Sequence, residues 1–140
     1  VFNRDEPQVR ATIDTIEQRL WCKTAIGGMA RYENDYYHRV SSDIAAVPGN
    51  PWFICTLWAA LGRTFLAERP EDLARPREIL EWACDHARPS GVLAEQVHPY
   101  TGEPMSVAPL TWSHATFVET VLAYAEKFKS DESRWRAETA

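Results

Sequence analysis

A chain of 140 residues with 45% hydrophobic and 25% charged side chains has the make-up of a folded unit, not of a disordered segment. No apolar run reaches the ~20 residues a bilayer-spanning helix needs, so no membrane partner is expected. The net charge of −5 lacks the basic surface that phosphate recognition demands, so no nucleic-acid partner is expected either.

Proline and glycine divide the chain into four helical stretches. The first is predicted from Pro7 to Cys22, with Val9, Ile13, Ile16 and Leu20 at helical spacing, Asp5 and Glu6 ahead of it and Pro7 in its first turn. The second opens on Asn50-Pro51, read as a capping residue and an N1 proline, and runs to about Glu68 with Ile54, Leu57, Trp58, Leu61 and Phe65 on one stripe. Gly62 interrupts it and marks close packing against a neighbour. The third runs from Pro76 to Arg88 on Ile79, Leu80, Ala83 and Ala87. The fourth begins between Thr111 and Ser113 and ends near Lys129, carrying Ala115, Val118, Val121, Leu122 and Ala125; residues 130–140 read as a polar C-terminal tail that frays. A short strand at Ser106-Val107 is the one exception to an all-α reading.

Cys22, Cys55 and Cys84 form no CxxC or Cys/His cluster and are expected to be buried free thiols on helices, which leans toward a reducing, cytoplasmic compartment. His38, His86, His98 and His114 lack metal-ligand spacing, so no metal and no other cofactor is expected, and His114 reads as a hydrogen-bonded structural residue. The opening Val1-Phe2-Asn3, without initiator Met or signal-peptide pattern, reads as a cut in a longer protein.

The connections are unequal: 28 residues from Lys23 to Asn50, seven from Arg69 to Arg75, and 22 from Pro89 to Leu110. Long structureless loops inside a compact fold are usually functional. If successive helices are antiparallel, both long loops emerge at one end of the bundle. The first carries Gly27-Gly28, Arg31, Tyr32, Asn34, Asp35, Tyr36 and Tyr37: flat aromatic faces that stack on sugar rings, and charged groups that bond hydroxyls. The alternative for this stretch is a Tyr-rich loop packed on its own helices. The second carries Glu95 between apolar neighbours, either a solvated loop acid or a general base oriented by Gln96 or backbone donors. Trp112, at the start of the last helix, is either a pocket wall or core.

The strings Gly28-x-Ala30-Arg31-Tyr32-x-x-Asp35-Tyr36-Tyr37, Asn50-Pro51-Trp52-Phe53-Ile54-Cys55-Thr56-Leu57, Gly91-Val92-Leu93-Ala94-Glu95-Gln96, Thr101-Gly102-Glu103-Pro104 and Leu110-Thr111-Trp112-Ser113-His114-Ala115 together resemble glycoside hydrolase family 15, the family of glucoamylases, glucodextranases and some bacterial trehalases. The match covers roughly residues 24–125. The resemblance implies the C-terminal portion of an (α/α)6 barrel, six helical hairpins about an axis, of which this chain supplies four helices. It implies an inverting glycosidase, in which one Glu protonates the leaving oxygen while a second activates water on the opposite face. Glu95 looks like that general base. Arg31 and Asp35 resemble the residues that bond the terminal sugar, while Tyr32, Tyr36 or Tyr37, Trp52 and Trp112 resemble the aromatic lining. The implied substrates are α-linked glucose oligosaccharides or polysaccharides. The general acid of such enzymes lies well upstream of the Arg-Tyr block, so residues 1–140 read as a fragment of the catalytic barrel, inactive without the part upstream of Val1. A non-catalytic helical carbohydrate- or protein-binding module is the competing expectation.

Overall fold

The computed structural model describes Asn3 and residues 6–138, with side chains as far as Ser130. It is mostly helical: α1 (Pro7–Leu20), α2 (Phe53–Leu66), α3 (Ala74–Asp85) and α4 (Thr111–Glu138), with a 3-10 turn at Pro70–Leu73 and a small hairpin of β1 (Gln96–Val97) and β2 (Pro104–Met105). The four expected helices are present, with shifted ends.

Helix α1 starts at Pro7, whose missing N–H costs nothing in a first turn; Asp5 lies outside the described residues. It stops at Leu20, short of Cys22, because Trp21 turns extended and pairs with Met29 across a reversal at Gly27 and Gly28, both at positive φ. Gly28 is bare by necessity: a Cβ there would sit 2.7 Å from both Pro51 Cβ and the Trp82 ring. None of α1's expected apolar stripe is fully buried. The helix is held instead by charge, Arg63 donating to Asp14 and Glu17 at 2.5 and 2.8 Å and Arg75 to Glu17 at 2.7 Å.

Helix α2 does not begin at an Asn50 cap. Trp52 occupies the cap position without a side-chain bond, residues 50–52 are drawn out to pair with the second long loop, and the Asn50 carboxamide is used elsewhere. The helix ends at Leu66, before the expected Glu68, where Asp72 takes the Glu68 and Arg69 amides and starts a 3-10 turn that leads straight into α3. Helix α3 closes at Asp85 with His86 as its cap, ahead of Arg88. Helix α4 continues past Lys129 to Glu138, so the backbone expected to fray is helical that far. The strand expected at Ser106-Val107 lies two residues earlier, at Pro104–Met105, in register Gln96↔Met105 and Val97↔Pro104. Ser106 ends it by adopting φ +63°, outside the extended region.

The core sits between α2, α3 and the second loop: Phe53, Leu57, Trp82, Ala83, Leu93, Ala94 and Val97, beside Met29, Trp52, Ile54, Cys55, Ala60 and Ile79. Two expected stripes are corrected. On α2, Ile54 and Leu57 are buried but Trp58 and Phe65 are exposed. On α4, Val118, Val121 and Leu122 are exposed, and the buried face is Ser113, Thr116 and Thr120. That face tolerates burial because the Thr120 and Ser113 hydroxyls satisfy themselves on the Thr116 and Ala94 carbonyls, both at 2.7 Å. Cys22 and Cys55 are buried and desolvation pushes each thiol up to about 12, whereas Cys84 is exposed, contrary to expectation, and Cys22 lies just beyond α1 rather than on it.

Both long connections do meet at one end. Phe53 at the start of α2 donates to the Glu95 carbonyl at 3.2 Å, Val97 donates to Pro51 at 2.9 Å, and Ser113 at the start of α4 bonds Ala94. The short connection lies at the opposite end of α2.

Gly62 faces α1, where an added Cβ would meet Ile13 Cδ1 at 3.1 Å. That methyl is the tip of a flexible side chain and lines an apolar cavity of about 260 Å³ with Ile16, Leu20, Cys55 and Ala59, so it has room to give way. Gly62→Ala is therefore expected to gain most of the roughly 1 kcal/mol helix-propensity difference between Gly and Ala. Thermal unfolding checks this: a higher Tm is expected, and a lower one would show that Ile13 cannot shift.

Candidate active site

Arg31 follows the backbone reversal at Gly27-Gly28 and stands where the first long loop crosses the start of α2. Its Nε and Nη2 donate to the two carboxylate oxygens of Asp35 at 2.8 and 2.9 Å, a bidentate fork, and the Tyr37 amide adds a third bond to Asp35 at 3.0 Å. Asp35 is fully buried. Burial alone would push its carboxyl up, but the bonds from Arg31 and the Tyr37 amide, with the Arg31 charge, outweigh it and hold Asp35 below the usual carboxylate range. With no exposed surface and both oxygens engaged, Asp35 stands behind Arg31 instead of facing solvent.

The guanidinium is sandwiched among rings. Its carbon lies 4.2 Å from the Trp52 ring centre, 5.1 Å from Tyr37 and 5.2 Å from Tyr32. Trp52 is thus a buried platform beneath Arg31, 4% exposed. Of Tyr36 and Tyr37, Tyr37 joins Arg31 and packs 5.9 Å from Trp52, while Tyr36 stands 77% exposed.

Glu95 is half-buried between the first turns of α2 and α4. Its amide donates to Val107 at 2.8 Å, its carbonyl accepts from Phe53, and its carboxylate accepts from the Ser106 hydroxyl. The neighbouring Gln96 carboxamide is buried and accepts from Asn50 at 2.9 Å. Trp112, on the first turn of α4, is 53% exposed and meets Trp58 edge-on at 5.6 Å. His114 is structural, its Nε2 accepting from the Leu93 amide at 3.0 Å. Among the described residues no group of three or more His, Cys, Asp and Glu is placed to hold a metal ion.

The two halves are contiguous, because Trp52 forms an antiparallel bridge with Gln96. One end of the bundle therefore carries a fixed guanidinium, aromatic faces and a half-buried carboxylate. Three residues here escaped the sequence reading. Ser106 looked like part of a short strand, Trp58 looked like core, and Asn50 looked like a helix cap.

A fixed guanidinium, aromatic faces and a carboxylate thus meet on a helical scaffold, and the comparisons say which known proteins that scaffold resembles. Residues 66–122 match the family described as glycosyl hydrolases family 15. An uncharacterized glycosyl hydrolase of Methanocaldococcus jannaschii is 31% identical over 123 residues, covering 81% of this chain and 18% of the relative. The fold is that of glucoamylases. A bacterial glucoamylase solved with acarbose superposes with a TM-score of 0.71 at 22% identity, over 89% of this chain and 18% of that one. The Hormoconis resinae glucoamylase gives 0.63 at 20% identity, over 85% and 27%. The described helices are thus a portion of a glucoamylase-type (α/α)6 barrel. Family match, relative and fold thus all lead to glycosyl hydrolases, family 15 by the match over residues 66–122, and the chain spans 18% of the length of the relative it matches.

Proposed function

We propose that residues 1–140 are a piece of the catalytic barrel of an inverting, exo-acting α-glucosidase that releases terminal glucose from α-linked oligo- or polysaccharides. The observation that carries this is the meeting of the two long loops, which sets Glu95 beside the Arg31–Trp52–Tyr37 group at the N-terminal ends of α2 and α4. The acarbose bound by a glucoamylase of the same fold supports a carbohydrate ligand.

In this reading Glu95 is the general base, drawing a proton from the water that attacks the anomeric carbon. Ser106 holds the carboxylate in place. Arg31, locked by Asp35 and laid on Trp52, bonds the hydroxyls of the terminal glucose, while Tyr32, Tyr37 and Trp112 give that ring apolar walls. The general acid comes from barrel residues outside this chain, on the far side of the scissile bond, with room between the two carboxyls for the water. The 140-residue chain alone then hydrolyses nothing, and its exposed Trp58, Phe65, Val118 and Leu122 are faces for the remaining barrel.

The test is proton NMR of the first-formed sugar when the full-length protein acts on maltotriose, with trehalose and an α-1,6-linked glucan alongside. Release of β-glucose is expected from the preferred linkage. First-formed α-glucose would overturn the inverting mechanism, and binding of all three sugars without turnover would favour a carbohydrate-binding module.

A further inference from the structure

The two halves of the mouth are joined at one buried side chain. Asn50 is fully buried; its Oδ1 accepts from the Val40 amide at 3.3 Å, and its Nδ2 donates to the His38 carbonyl at 2.7 Å and the Gln96 carboxamide oxygen at 2.9 Å. His38 and Val40 belong to the turn that follows Arg31, Asp35 and Tyr37, and Gln96 follows Glu95. Both donors and the carbonyl oxygen of the Asn50 amide have a partner, so each lost partner leaves a buried polar group unpaired.

The arrangement is also directional. With Oε1 of Gln96 committed to Asn50, its Nε2 is turned the other way, buried and without a hydrogen-bond partner among the described residues. A flipped carboxamide would set two donors against each other, so Asn50 allows one orientation only. Trp52, which faces Gln96 across the bridge, holds its indole N–H in the same buried, unpartnered state. Buried unpaired donors are rare in folded proteins and need a reason to persist. Here both flank the step from the Arg31 platform to Glu95.

We propose that Asn50 is a positioning residue for the reaction: it fixes the Gln96 carboxamide and, through it, the place of Glu95 relative to Arg31 and the sugar Arg31 holds. The inference rests on the reading of Glu95 as the base. The contacts of Arg31 run to Asp35, Trp52, Tyr37 and Tyr32 and none through the Asn50 side chain, so substrate affinity should hardly change. The attack geometry should loosen instead, and an ångström of misplacement is enough to slow chemistry by up to about a hundredfold.

The experiment is a double-mutant cycle in the full-length protein with maltotriose. Asn50→Ala and Gln96→Ala should each lower kcat by about 30-fold with KM within about twofold, and the double variant should be no more than about threefold below the worse single one. Losses that multiply to roughly a thousandfold, or a raised KM at unchanged kcat, overturn the proposal. Where Asn50→Ala does not fold, Asn50→Asp keeps the shape and the acceptor for Val40 while deleting both donations. The same fall in kcat is expected from it, and wild-type kcat overturns the proposal. Failure of the base assignment shows separately, as activity retained by Glu95→Gln, whereas this inference is judged by the coupling between positions 50 and 96.

Discussion

Glu95→Gln in the full-length protein is expected to lower kcat for maltotriose by about a thousandfold, within the range a general base contributes, while KM changes little. The substitution is nearly isosteric. A glutamine carbonyl can still accept the Ser106 hydroxyl, and the backbone bonds from Phe53 and to Val107 do not involve the side chain. The loss therefore reports proton abstraction and not a disturbed loop. A carboxamide cannot take the proton of the attacking water, and nothing else in this part of the mouth is placed to do so in the proposed scheme. The measurement is steady-state glucose release together with a thermal melt, which should match wild type. Retention of a tenth or more of the activity would remove Glu95 from the role.

Much of this was legible in the sequence because the cues were local. Helix existence followed from period 3.6 on α1 to α3, the gathering of the loops from alternating connection lengths, and the candidate site residues were proposed from their likeness to family 15 blocks. What stayed hidden was non-local. Asn50-Pro51 carries a capping signature, yet the chain spends that amide on residues 12 and 46 positions away, a choice set by tertiary contact. The α4 stripe was assigned to the core because apolar residues are expected inside; the face that packs is Ser113, Thr116 and Thr120, with the Ser113 hydroxyl on the Ala94 carbonyl and the Thr120 hydroxyl on the Thr116 carbonyl. Asp35 read as a sugar ligand because its type suits one. The structure adds what the sequence did not show, that both its oxygens accept from Arg31 and it is fully buried.

That pair carries the second large effect. Arg31→Lys is expected to cut kcat/KM by about a hundredfold, although the charge is kept, because a lysine ammonium cannot form the two parallel bonds to Asp35 or lie flat on Trp52. Changing Asp35 instead is chiefly a loss of stability. Asp35→Asn leaves the guanidinium without its counter-charge, and breaking a buried pair costs about 3–5 kcal/mol, less here because the Arg31 side chain keeps 31% of its exposure. The pH dependence has a fixed sign. The Asp35 carboxyl is held below its unfolded value, so its contribution is complete above the ordinary aspartate range and disappears as pH falls through that range to the depressed folded value. Urea unfolding at a series of pH values should show wild type more stable than Asp35→Asn at neutrality, with the two curves converging in acid. A gap that stays constant or widens on acidification would mean the Asp35 charge is not what holds Arg31. The variant's activity at neutral pH should fall with Arg31→Lys's, since both changes release the same guanidinium from the position in which the proposed sugar contact is made.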